Sequence, residues 1–245
     1  MGYFLLIFLF RHFMKNIRFM LLLMAVTQVL MAQNSEAISP THHSAITNPF
    51  GIKAGYLQTD LHGSDMEIFS FGGKTKSLNS FILGVEYNSE ISRFISLKHE
   101  LSFKMHGAEI QLNDEVNGTY NSTLKMNSLE LQPIHVALRY KWLQLYAGPY
   151  ASALIHAHIT RKDENGESYK DKSIFGKPDE ETDENKYLQK MDFGATAGLQ
   201  FEFNKTINIG IRYNHGLVPL FDNTTEQRTI RIYNKSWGIT LGVNI

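Results

Sequence analysis

Residues 193–217 read "FGATAGLQFEFNKTINIGIRYNHGL", and the alternation in this stretch decides the fold. Phe193, Ala195, Ala197, Leu199, Phe201 and Phe203 take every second position. Ile207, Ile209, Ile211 and Tyr213 resume the pattern after the polar trio Asn204-Lys205-Thr206. A period of two in both halves predicts two antiparallel strands joined by a tight turn. If Phe203 opposes Ile207, then Glu202 meets Asn208, Gln200 meets Gly210 and Gly198 meets Arg212. The polar face is then self-consistent, with Gly198 expected to leave space for the Arg212 side chain.

Outward from this hairpin the alternation recurs, giving eight segments at roughly 50–59, 78–88, 94–106, 128–140, 142–158, 191–203, 207–218 and 229–245. No stretch after residue 49 has a helical period. The connections at about 60–77, 107–127, 159–190 and 219–228 are long and polar. Those at "NSEISR", Lys141-Trp142 and Asn204-Lys205-Thr206 are short. An even strand count with long loops at one end and tight turns at the other is the pattern of outer-membrane barrels. Sandwiches use turns of mixed length instead. Across Lys141-Trp142, Tyr140 is expected opposite Leu143, Leu138 opposite Leu145 and Val136 opposite Ala147, with His135 facing Gly148. Apolar parity switches around Gln132-Pro133. Proline cannot donate to a ladder, so a bulge is predicted there.

Composition narrows the class. Hydrophobic residues are 43%, charged ones 20%, and mean hydropathy is −0.22, far too polar for a helical membrane protein. Any bilayer contact must therefore use alternating strands. The absence of cysteine excludes disulfides, thiolate metal sites, a cysteine nucleophile and an acylated lipoprotein cysteine.

The N-terminus reads as a targeting segment. Met14-Lys15-Asn16-Ile17-Arg18 is a basic n-region, Phe19–Met31 an apolar run, and Ala32-Gln33 the expected cleavage bond. Residues 1–32 are thus assigned as a signal peptide, with 1–13 read as an extension upstream of a start at Met14, or as part of a longer signal. The alternative, a membrane anchor over 2–31, is interrupted by Arg11, His12, Lys15 and Arg18. Removing 1–32 leaves three more acids than bases, which gives no basis for nucleic-acid binding. Residues 33–49 read as a flexible periplasmic lead-in and 50–245 as the barrel domain.

Alternation alone does not say which face meets water. The signal peptide, the loop asymmetry and aromatics near strand ends (Phe94, Tyr140, Phe193, Phe203, Trp237) favour lipid outside. The expected fold is all-β: an eight-stranded antiparallel up-and-down transmembrane β-barrel with a closed, side-chain-filled lumen, since eight strands enclose only enough room for side chains. In that lumen Glu86, Lys98, Glu100, Lys104, Arg139, Glu202 and Arg212 form a structural network, because buried charges must be paired.

Several segments carry a resemblance: "GIKAGYLQTDLHG", "ISLKHELSFKMHGAEI", "LELQPIHVALRYKW", "LYAGPYASAL" and "FGATAGLQFEF…IGIRYNHGL". Together they resemble the PorT-like outer-membrane β-barrel proteins of Bacteroidetes over most of residues 50–245. Glu100-Leu101, Gly148-Pro149-Tyr150 and Arg212–Leu217 are the most specific pieces. The resemblance implies an eight-stranded barrel at the outer membrane, and a link to protein secretion through the eponymous member. It implies little about activity.

Candidate chemistry is sparse. His156 and His158 lie two apart on the fifth strand and are expected on its lumenal face, where they would suit a transition metal if a third ligand converged. None is evident, and no cofactor is expected. Ser152 shares that face with His156, but four residues of strand is about 13 Å, too far for a nucleophile–base pair. The reading is a poreless outer-membrane barrel of interaction or scaffold type, both termini periplasmic. Its expected partners are the lipid bilayer and, through the long loops, envelope or secretion proteins. The alternatives are a barrel-rim enzyme acting on lipid or peptide, and a soluble periplasmic barrel holding a small apolar ligand.

Overall fold

Alternation gives an extended chain one apolar and one polar face, and each alternating run forms a strand. The computed structural model describes residues 49–175, 187–203, 206–222 and 230–245. The expected signal segment, the alternative anchor over 2–31, all of the lead-in except Pro49, and Asn204 and Lys205 of the opening turn lie outside the described residues. Among the described residues eight long antiparallel strands close a ring: β1 (Phe50–Gly63), β2 (Thr75–Glu90), β3 (Ile95–Asp114), β4 (Gly118–Tyr140), β5 (Leu143–Lys162), β8 (Met191–Phe203), β9 (Ile207–Gly216) and β11 (Ile232–Asn244). Each pairs with the next, and β11 pairs back onto β1, so the ring has no open edge. Short strand β6 (Ser168–Asp171) extends the sheet beside β5. β7 (Tyr187–Leu188) pairs with β10 (Phe221–Asp222), and one helical turn, α1 (Met66–Phe69), sits in the first connection.

The registers set by the tight turns are those expected. Phe203 pairs with Ile207 and Gly198 with Arg212, and Tyr140 pairs with Leu143 and Val136 with Ala147. The space above Gly198 has a different occupant. On its other side Gly198 faces Tyr146 of β5, and a Cβ at Gly198 would meet the Tyr146 hydroxyl at 2.5 Å. The glycine makes room for a phenol, not for the Arg212 guanidinium.

Two bulges reset the phase of the sheet. One extra residue of β4 between Leu131 and Val136 gives the bulge expected at Gln132-Pro133. The free Pro133 carbonyl contacts Nδ1 of His99, whose ring also stacks 6.0 Å from Tyr87, so this outward histidine has partners at the bulge. The second bulge was not expected. Ser128 of β4 pairs with Leu154 but Asn127 pairs with His156, which leaves Ile155 as an extra residue on β5. Ile155 and His156 both point outward, and Ala157 and Ile159 turn inward.

The strands also run further than alternation suggested. The connection expected over 107–127 shrinks to Glu115–Asn117, because β3 and β4 continue as a long hairpin. Gly107 adopts φ +147°, a conformation side-chain-bearing residues rarely take, and the strand passes through it with Thr59 Oγ1 donating to its carbonyl at 2.8 Å.

Along β3 the chemistry inverts. Ile95, Leu97, Leu101, Phe103 and Met105 face outward while Ser96, Lys98, Glu100, Ser102, Lys104 and His106 face inward. Past Gly107 the inward positions are Ala108, Ile110 and Leu112 and the outward ones Glu109, Gln111 and Asn113. The apolar outer stretch Ile95–Met105 spans ~34 Å of strand, ~26 Å of height at a tilt of about 40°, the height of an outer-membrane apolar band. Beyond the band, the barrel is built like a soluble protein. Its apolar interior there gathers Leu61, Leu124, Met126, Ala157, Ile159 and Ile232 from the strands, with Phe69, Ile174, Leu220 and Phe221 from the connections.

Candidate functional site

Two layers fill the barrel. In the band the inner face carries the charged residues. Lys53 Nζ lies 2.7 Å from Glu86 Oε2 and 2.6 Å from Glu100 Oε2. Lys98 Nζ is 3.4 Å from Glu86, donates to Gln200 Oε1, and sits 4.6 Å from the Tyr146 ring centroid. From β9, Arg212 donates through Nη1 to Glu100 at 2.7 Å and through Nη2 to Glu130 at 3.1 Å. Lys104, Gln132 and Asn214 complete the shell of Glu130. These charged side chains are 0–3% exposed, so a continuous ion-pair chain crosses the lumen from β1 to β4 and β9.

Five of the seven anticipated lumen residues, Glu86, Lys98, Glu100, Lys104 and Arg212, lie in this chain. Arg139 and Glu202 form a separate pair at 3.0 Å toward the tight-turn end, partly open to solvent. Sequence reading missed Lys53 and Glu130, although each stands between apolar residues of the outward phase: Lys53 between Ile52 and Ala54, Glu130 between Leu129 and Leu131.

His156 and His158 are not in the lumen. The bulge at Ile155 turns both onto the outer face, where their rings lie 5.6 Å apart and opposite Asn127 and Lys125 of β4. Among the described residues no three His, Asp or Glu side chains converge as metal ligands. The bulge also parts Ser152, which points inward, from His156.

A different serine and histidine do meet. Ser128 Oγ lies 2.7 Å from His106 Nε2, His106 Nδ1 lies 3.3 Å from Asn234 Oδ1, and Asn234 Nδ2 donates to Asp192 Oδ2 at 3.0 Å. Tyr150 Oη donates to the same Asp192 oxygen at 3.1 Å. The order of groups matches nucleophile, base and orienting amide. All are buried at the seam between the charged lumen and the apolar interior above it. Neither half of this relay follows from local spacing, because it joins residues of β3, β4, β5, β8 and β11.

The apolar interior above is closed by the connections. Phe69 and Phe221 pack with ring centroids 4.8 Å apart. Asp65 Oδ2 accepts from the Arg231 amide at 2.8 Å, and Ser70 Oγ accepts from the Gln111 amide at 3.1 Å. Above this core lies a groove of about 450 Å³, lined by Phe69, Phe71, Leu112, Ile159, Arg161 and Ile174 among others. At the tip of the β3–β4 hairpin, the Asn117 and Val116 amides donate to Asp114 Oδ1 at 2.6 and 3.1 Å and hold its carboxyl below the ordinary carboxylate range.

The outer face of the band has two aromatic levels. Phe50, Tyr87, Phe94, Tyr140 and Trp142 stand toward the tight turns, with Phe50–Tyr87 at 4.8 Å, and Tyr56, Phe81, Tyr213 and Trp237 stand toward the loops. This is the arrangement of interfacial aromatic girdles.

Comparison with known proteins accords with this geometry. The family model described as "Outer membrane protein beta-barrel domain" matches residues 31–222. Among solved structures, the chain is similar to Ail, the attachment invasion locus protein of Yersinia pestis, solved with the heparin analogue sucrose octasulfate (15% identity, 80% of this chain and 97% of that one, TM-score 0.43). It is also similar to Neisserial surface protein A (11% identity, 80% and 97%, TM-score 0.45). OprG of Pseudomonas aeruginosa is a third (11% identity, 81% and 96%, TM-score 0.43). No curated protein matches the chain.

Proposed function

The chain belongs to the outer membrane protein beta-barrel domain family, and from that premise we propose that it is a poreless barrel that works through its loop end as an interaction or scaffold protein. The carrying observation is the doubly filled interior. The ion-pair chain from Lys53 to Glu130 occupies the lumen, and the apolar core around Phe69 and Phe221 covers it. A soluble barrel holding an apolar ligand is set aside, since the charged side chains occupy the inside of the band and the apolar ones its outside.

Within the family we assign the chain to the PorT-like group on the segments around Glu100-Leu101, Gly148-Pro149-Tyr150 and Arg212–Leu217. A role accessory to secretion or envelope assembly goes with that assignment. We also assign residues 1–32 as the signal peptide, and place both termini and the tight turns in the periplasm and the long connections outside. The test is photo-crosslinking in cells from Val116 at the hairpin tip and from Trp142 at a tight turn. Partners captured at Val116 and not at Trp142 support the reading. Capture only at Trp142 overturns it.

The rim-hydrolase reading has one observation in its favour, the Ser128–His106–Asn234 relay. Its burial beneath Leu124 and Met126 argues for a structural role, joining the polar lumen to the apolar interior without leaving a donor unpaired.

A further inference from the structure

The bulge at Ile155 changes the outer face, where the His156 ring lies 6.0 Å from that of Phe175. By turning His156 and His158 outward, it sets them beside Lys125, with Lys170 of β6 paired opposite Thr160 on the same face and Lys172 just beyond. Elsewhere on this level Lys235 lies 3.5 Å from Asp60, and Lys76 stands opposite Glu109 in register, with Glu109 also opposite Thr123 of β4. In the β4–β5–β6 sector, Lys125, Lys170 and Lys172 make no ion pair with another of the described residues. Burial, followed by Lys170, His156, Lys125 and Lys172, holds the His158 imidazole below its ordinary range, as expected where the neighbours are cationic.

The height of the cluster identifies its ligand. Leu129 and Ile155 are the last apolar residues of the outer face in this sector, at 43% and 53% exposure. Asn127 and His156 stand one outward position beyond Leu129, and Lys125 and His158 two, ~7 and ~13 Å along the strand. At a tilt of about 40° this is ~5 to ~10 Å of height, and Lys170, opposite Thr160, stands one position further, so the cluster begins within a bilayer's headgroup layer of about 5–8 Å and rises past it.

The geometry points to a lipid-phosphate site: the outer face of β4, β5 and β6 around Lys125, His158 and Lys170 binds the phosphate of a lipid in the leaflet surrounding the loop end. Charge complementarity carries this, together with the cluster's continuity with the lipid-facing band. In cells it rests on the proposed orientation, with the loop end in the outer leaflet.

The experiment uses the full chain in a zwitterionic detergent and diphosphoryl lipid A as the probe, read by native mass spectrometry. The same lipid stripped of its phosphates is the comparison. Expected is retention of the phosphorylated lipid over the stripped one, weakened about thirtyfold by the double variant K125Q/K170Q and about fivefold by K170Q alone, with K76Q unaffected. Heat-modified gel mobility reports folding of each variant. If the double variant does not fold, K170Q on short strand β6 carries the test. Equal binding of the two lipids, wild-type binding by a folded Lys variant, or an equal loss in K76Q would overturn the site. Micelles have no leaflets, so this result does not depend on orientation, which labelling of Val116→Cys in intact cells reads separately.

Discussion

The Tyr146 phenol lies over Gly198, so close that a Cβ on the glycine would fall 2.5 Å from its hydroxyl oxygen. The same ring carries Lys98 against its face at 4.6 Å, so backbone, aromatic ring and buried cation are locked in one stack. Gly198→Ala should therefore displace the phenol and with it Lys98. Overpacking of this kind costs about 1–3 kcal/mol. Urea unfolding in phospholipid vesicles checks it. Unchanged stability in Gly198→Ala would remove the stack from the account of the lumen.

Arg212 joins Glu100 and Glu130. Arg212→Met takes one of the two cations from each of Glu100 and Glu130, which keep Lys53 and Lys104, leaves the lumen one positive charge short, and should cost about 3–5 kcal/mol. Adding Glu130→Gln to it should cost less than the sum of the two single changes. Additive losses in the same unfolding assay would mean that the residues are energetically independent.

The two closures should be separable. Phe221→Ala removes the partner of Phe69 and should loosen the cap by about 3 kcal/mol, seen as faster trypsin cleavage of the loop end. The ion-pair chain below is untouched, so planar-bilayer recordings should still show no porin-sized steps. Stable conductance in this variant would place the seal in the cap alone.

Ser128 should be unreactive. A fluorophosphonate probe is expected to leave the folded protein unlabelled, because the relay to His106 and Asn234 is buried. Labelling that disappears in Ser128→Ala would instead establish a nucleophile and revive the hydrolase reading.

The hairpin tip should be acid-sensitive. Asp114 has its carboxyl held below the ordinary value by the Asn117 amide, so its contribution is present above the unfolded carboxylate's range and is lost as pH falls through the lower, folded pKa. The protection of the Val116 and Asn117 amides, taken relative to the intrinsic exchange rate at each pH, should fall on acidification. In Asp114→Ala that protection should be low at every pH, and equal protection in both proteins would contradict the assignment.

Bulges separate what could be read in advance from what could not. At Pro133 the ring lacks an N–H, so the break in the ladder is written in the residue type, and the expected bulge lies there. At Ile155 nothing marks it. Leu143, Leu145, Ala147, Ala151, Ala153, Ile155, Ala157 and Ile159 keep apolar residues on odd numbers throughout, so the pattern looks unbroken while the face changes. That hidden switch misassigned His156 and His158. The inversion above the band escaped for a related reason. Ala108, Ile110 and Leu112 on one strand, and Leu124 and Met126 on the next, are spaced by two, but their polar partners look like loop, and Gly107 looks like the end of a strand. Most of the lumen charges were legible because an apolar neighbour on either side fixes their face, and Lys98 and Glu100, which share His99, have one on the other side. Lys53 and Glu130 obey the same rule and needed only that it be applied to every strand.

The inverted upper barrel bears on how the protein stays put. A collar with Asp60, Glu109 and Lys125 outside and Ile110, Leu124 and Phe221 within is stable only in water. With the loop end outside, as proposed, its segments cross the bilayer unassembled, and once they fold beyond it they cannot slip back without exposing those apolar side chains and drawing those charges through hydrocarbon. The collar works like the head of a rivet, formed on the far side after the shaft has passed through.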